Sequence, residues 1–112
     1  MGATQDRDSV LSTFDDEEVT VAATAIGFTT SIINPTVADG MEQMTRARHA
    51  TCKNVGAEIR IRLDGSDPTA SVGIIIPDGG SFEIWGYDDI SNFRAIRTGA
   101  VSSELTASFS RA

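Results

Sequence analysis

Ala57-Glu58-Ile59-Arg60-Ile61-Arg62-Leu63 alternates with a period of two. Successive side chains of a β-strand point to opposite faces, so Ala57, Ile59, Ile61 and Leu63 share one face and Glu58, Arg60 and Arg62 the other. A helix would scatter these residues around its axis. Asp64-Gly65-Ser66-Asp67-Pro68-Thr69 follows as a loop, since Gly65 admits a positive φ, Asp64 and Asp67 can bond back onto the backbone, and Pro68 cannot donate to a ladder. Outward from this strand the signals repeat. Val72 to Ile76 is a short apolar strand closed by the turn Pro77-Asp78-Gly79-Gly80. Ser81 to Gly86 alternates, with Phe82 and Ile84 opposite Glu83 and Trp85. Phe93 to Thr98 and Ser103 to Ser110 complete the series, Leu105, Ala107 and Phe109 sharing a face.

Upstream, Val19 to Ile33 is rich in Val, Thr, Ile and Ala, which favours strand over helix. Its large residues change parity between Val19/Val21 and Ile26/Phe28, so a bulge or break is expected near Ala22–Ala25. Residues 41–52 are read as a further strand, because no apolar face recurs at helical spacing. About seven short strands result, and helical signals are missing almost everywhere. The fold expected is all-β, an antiparallel β-sandwich of jelly-roll-like or immunoglobulin-like type. Its core would hold Val21, Ile26 or Phe28, Ile59, Ile61, Leu63, Ile75, Phe82, Ile84, Phe93 or Ile96, Leu105 and Phe109.

Composition narrows the function classes. The 112 residues make one domain, 40% hydrophobic and 22% charged, enough for a modest core. Nine Lys and Arg face sixteen Asp and Glu, a net charge of -7, which argues against a grip on nucleic acid through phosphate neutralisation. No apolar run suits a membrane span, and Met1 to Asp8 are polar, unlike a secretory leader. Six of the acids (Asp6, Asp8, Asp15, Asp16, Glu17 and Glu18) stand in residues 1–18 against Arg7 alone. This divides the chain into an acidic N-terminal arm, 1–18, and a sandwich domain, 19–112. The arm is either a flexible leader or a segment that orders against a neighbouring subunit through Leu11 and Phe14.

Candidate chemistry is sparse. Cys52 is the one cysteine and His49 the one histidine, which excludes an internal disulfide and a multi-Cys zinc site. The two are three apart, which on a strand sends them to opposite faces, so no Cys–His catalytic pair is expected. Asp64-Gly65-Ser66-Asp67 resembles a fragment of a calcium loop without its order, and turn formation accounts for its residues. No catalytic, cofactor or metal residues are assigned. Arg46 and Arg48 share a parity, as do Arg60 and Arg62. If their strands are neighbours they form a basic stripe, either a hydrated face or a docking surface for an acidic partner. Trp85 points away from Phe82 and Ile84. With Tyr87 it covers further core, anchors a protein contact or stacks on a sugar.

The stretch Ile59 to Gly73, IRIRLDGSDPTASVG, then Gly79-Gly80-Ser81-Phe82-Glu83-Ile84 and Asp89-Ile90-Ser91-Asn92-Phe93-Arg94-Ala95-Ile96-Arg97, resembles the small β-sandwich structural proteins of tailed bacteriophages, including capsid decoration (cement) proteins. The resemblance covers residues 55–112. It implies a virion protein without enzymatic activity, assembled in the host cytoplasm, that binds the major capsid protein of an assembled head, often as a trimer. A tail or head accessory module that binds host glycans and a head–tail connector component are the alternatives. The expected interface residues are Leu11, Phe14, Arg46, Arg48, Arg60, Arg62, Trp85 and Tyr87.

Overall fold

The structure is a computed structural model that describes residues 12–35 and 46–111. It contains β1 (Ser12–Val21), α1 (Thr30–Ile33), β2 (His49–Val55), β3 (Ile59–Arg62), β4 (Ile74–Ile76), β5 (Ser81–Trp85), α2 (Tyr87–Asn92), β6 (Arg94–Arg97) and β7 (Ser103–Arg111). The seven strands form two antiparallel sheets, one in the order β1-β7-β2-β5 and one in the order β4-β3-β6. The chain is thus an all-β, two-sheet antiparallel protein, as the alternation implies.

Alternation explains how each strand meets the core. Ala50, Cys52 and Asn54 of β2 are buried, as are Leu105, Ala107 and Phe109 of β7 and Ile59 and Ile61 of β3. Between the sheets Phe28 stacks on Phe93 at 4.5 Å between ring centroids and meets Phe109 edge-on at 5.0 Å. Offset and edge-to-face contacts of this kind suit the aromatic quadrupole.

The chain repeatedly changes sheets. Gly56, with φ 121°, carries it from β2 into β3. The Pro77–Gly80 turn, closed by Gly80 N–H donating to Pro77 O at 2.9 Å, returns it from β4 to β5. Asn54 holds this crossing together from within. Its Nδ2 donates to the carbonyls of Ala57 (2.8 Å), Ile76 (3.2 Å) and Pro77 (3.0 Å), and its Oδ1 accepts from the Ser103 hydroxyl. Buried polar groups need such partners.

Several expectations are corrected. β1 begins at Ser12, so an arm ending at residue 18 cuts through a strand; pairing with β7 gives residues 12–18 the backbone partners they lack alone. Leu11 lies outside the described residues. The break after Val21 is present, but Ile26 forms only an isolated bridge with Ala95, and the segment then enters α1. The strand expected over 41–52 is seen as β2 from His49 to Val55, residues 41–45 lying outside the described residues. Ile75 is exposed and Ile76 is buried instead. Ile26 is also exposed, leaving Phe28 in the core. Asp88 and Asp89 stand in the first turn of α2, where carboxylates favour the positive end of a helix.

Candidate functional site

The end of the four-stranded sheet where β1 begins and β7 finishes gathers most of the expected interface residues. Register places Thr13, Ser110, His49 and Trp85 in one row across the four strands. The pairing continues past the strands: Arg48 N–H donates to Ser110 O at 2.8 Å, and Gly86 N–H donates to Arg48 O at 2.7 Å. Gly86 has φ 93°, a left-handed conformation that glycine adopts without strain. It turns the chain from β5 directly into α2, so Trp85 and Tyr87 flank one corner.

Three rings at this end are each stacked on a nitrogen-rich partner. The Arg111 guanidinium sits 4.6 Å over the Phe14 ring, and that of Arg46 sits 4.6 Å over the Tyr87 ring. The His49 and Trp85 rings are 4.1 Å apart at a tilt of 38°. His49 lies on the outer face of the sheet, yet Trp85 covers it and it is buried. Its Nε2 is joined to Glu83 Oε1 by a 2.7 Å hydrogen bond. Trp85 itself remains 61% exposed. The contacts lie on two sides of the sheet: His49 and Trp85 are on the outer face, whereas Arg111 has the parity of the inward Phe109, and Phe14 and Tyr87 pack partly buried against the core.

Arg60 and Arg62 do not join this group. β2 and β3 belong to different sheets, so the basic stripe does not form. Arg60 instead braces its own loop, donating to Ala70 O at 3.0 Å and Gly73 O at 2.8 Å. Arg62 pairs with Asp64 at 2.6 Å, which holds the Asp64 carboxyl below its ordinary value; the second Asp64 oxygen accepts from Ser66 N–H at 3.0 Å. The calcium-like fragment is therefore a self-bonded turn. Among the described residues no three His, Cys, Asp or Glu side chains converge as a metal site.

Cys52 faces inward, opposite to His49, and burial pushes its thiol up from 9.0 to about 12. It is a packed apolar group, not a poised nucleophile.

Arg111 and His49 were not marked as interface residues by the sequence. The signal for Arg111 is its place two positions beyond Phe109 on an alternating strand. For His49 it is the cross-strand pairing with Trp85, which only the register reveals.

No family model, curated protein or solved structure matches the chain.

Proposed function

We propose that the protein is a non-enzymatic structural protein of a tailed-phage virion that docks onto the assembled head and reinforces it. The observation that carries this reading is the sheet end just described: Trp85, Tyr87 and Phe14 with Arg46, Arg48 and Arg111 in an otherwise acidic molecule. Trp, Tyr and Arg are the residue types that dominate protein-interface energetics. The arginines stand among Asp15, Asp16, Glu83, Asp88 and Asp89, so this end presents mixed charge, which selects the register and orientation of docking on the major capsid protein. A single copy contributes little, but repetition over a symmetric lattice multiplies the effect.

Co-sedimentation of the purified protein with expanded or emptied heads tests this. Trp85→Ala is expected to weaken retention by about 30-fold, the equivalent of about 2 kcal/mol for an interface anchor. Wild-type protein that stays in the supernatant at all head concentrations overturns the reading.

One observation favours a second reading, a host-glycan module. The exposed Trp85 indole has the Glu83 carboxylate beside it, a platform with an adjacent acceptor for sugar hydroxyls. Binding to a sugar array that Trp85→Ala abolishes, without head binding, selects this reading instead.

A further inference from the structure

Among the described residues the two sheets have four edges, and three carry charges or a covering segment. β1 carries Asp15, Asp16, Glu17 and Glu18. β5 carries Glu83, bonded to His49. β6 carries Arg94 and Arg97 and is covered: Ile26 and Ala95 exchange hydrogen bonds of 3.0 and 2.8 Å, and Arg97 N–H donates to Ala22 O at 3.1 Å. Charges and covering segments protect a strand edge, as do shortness and proline, the only two of these devices that β4 shows among the described residues.

Among the described residues β4 has neither charge nor cover: it is Ile74-Ile75-Ile76, uncharged, paired there with β3 alone and framed by Gly73 and Pro77. Ile74 is 59% exposed and Ile75 46%, although neighbours on a strand point to opposite faces. Apolar surface is therefore open on both sides of the same edge. Val72, 49% exposed, extends it, and an apolar groove lined by Ile61, Leu63, Val72 and Ile74 runs alongside.

We propose that β4 is a self-association edge, occupied by β4 of a second copy in an antiparallel, two-fold pair. The two three-stranded sheets then become one of six strands, in the order β6-β3-β4 followed by β4-β3-β6 of the second copy. The second copy is chosen on charge and pattern. A strand that matches this edge is short, uncharged and apolar on both faces, and β4 itself has those properties. A two-fold pair sets isoleucines against isoleucines and consumes both edges, so it closes without forming a fibre. The patch is small beside the roughly 1,200 Å² and more that a permanent interface buries, so association is reversible and concentration-dependent. Each copy carries a net charge of -7, so added salt screens the repulsion and strengthens the pair. This inference goes beyond the docking reading and is independent of it.

Sedimentation equilibrium of the full chain over a range of concentration and salt provides the test, without viral heads. The wild type is expected to move from 11.9 kDa toward twice that mass as concentration and salt rise. Ile75→Lys places like charges near the two-fold axis and is expected to weaken association by about tenfold or more. Val101→Lys, at an equally exposed apolar residue elsewhere, is expected to leave it unchanged. Amide exchange at Ile74–Ile76 should slow as the wild-type concentration rises. A monomer throughout, a trimer indifferent to Ile75→Lys, or a dimer whose β4 amides gain no protection each overturns the proposal. A dimer that ignores heads supports this inference and removes only the docking reading.

Discussion

Replacing Asn54 with alanine removes the polar link at the place where the chain crosses between the sheets. The side chain is fully buried and supplies two N–H donors to three carbonyls, those of Ala57, Ile76 and Pro77. It also accepts the Ser103 hydroxyl. Two donated bonds and one accepted bond, each worth about 1 kcal/mol net, give about 3 kcal/mol, and the space left by the amide adds a further fraction. Ser103 offsets some of the loss, since its hydroxyl also reaches Val55 O at 3.0 Å. The expected destabilisation is about 3 kcal/mol, a large share of the roughly 5–15 kcal/mol that holds a domain together. In a chain of this size that corresponds to a melting temperature lower by about 10–15 °C. Asn54→Asp keeps the shape but replaces both donors with a charge facing three carbonyls, so it should cost more than alanine. Urea unfolding and thermal melting followed by circular dichroism measure both variants, and Asn54→Ala/Ser103→Ala should cost less than the sum of the single changes. An alanine variant within about 0.5 kcal/mol of wild type, the range of surface substitutions, would refute the reasoning, as would an aspartate variant more stable than the alanine one.

Gly27→Ala should destabilise by about 2–3 kcal/mol, because its Cβ would lie 2.6 Å from Phe93 O and 2.5 Å from Arg94 Nη1, and the backbone oxygen cannot swing away. Gly99→Ala meets nothing within 4 Å and should be neutral; equal urea midpoints for the two variants would contradict this account. Cys52, raised from 9.0 to about 12 by burial, should resist iodoacetamide in the folded protein and react once urea unfolds it, as followed by mass spectrometry. The sign follows from the folded value lying above the unfolded one: the contribution to stability is complete below pH 9.0 and is lost as pH rises toward about 12. Native protein alkylated as fast as unfolded protein would rule out the burial.

The local conformation of most of the chain was legible from residue order alone. The period-two pattern of Ile59, Ile61 and Leu63, and of Leu105, Ala107 and Phe109, specifies strand and inward face together, because the pleat has the same period. The turn at Pro77–Gly80 was legible for the same reason, its residues carrying their own backbone preferences. α2 was not legible, since six residues are too few to show a helical apolar face. Ile75 misled because three consecutive isoleucines have no alternation to say which one faces the core.

Partnership between distant strands belongs to the tertiary structure. Parity put Arg46 and Arg48 on one face and Arg60 and Arg62 on another, but whether those faces meet depends on the turn at Gly56, which sends β3 to the second sheet. His49 lies beneath Trp85 because residues 36 apart are paired by register, and Arg111 covers Phe14 because the two terminal strands pair along their length. The sequence by itself determined that this is a two-faced β protein with a tryptophan on the face opposite Phe82 and Ile84. Only the tertiary structure decided which side chains stand beside that tryptophan and which strand edge is left open. Local preference acts over a few bonds, whereas strand pairing is settled by the burial of many residues at once.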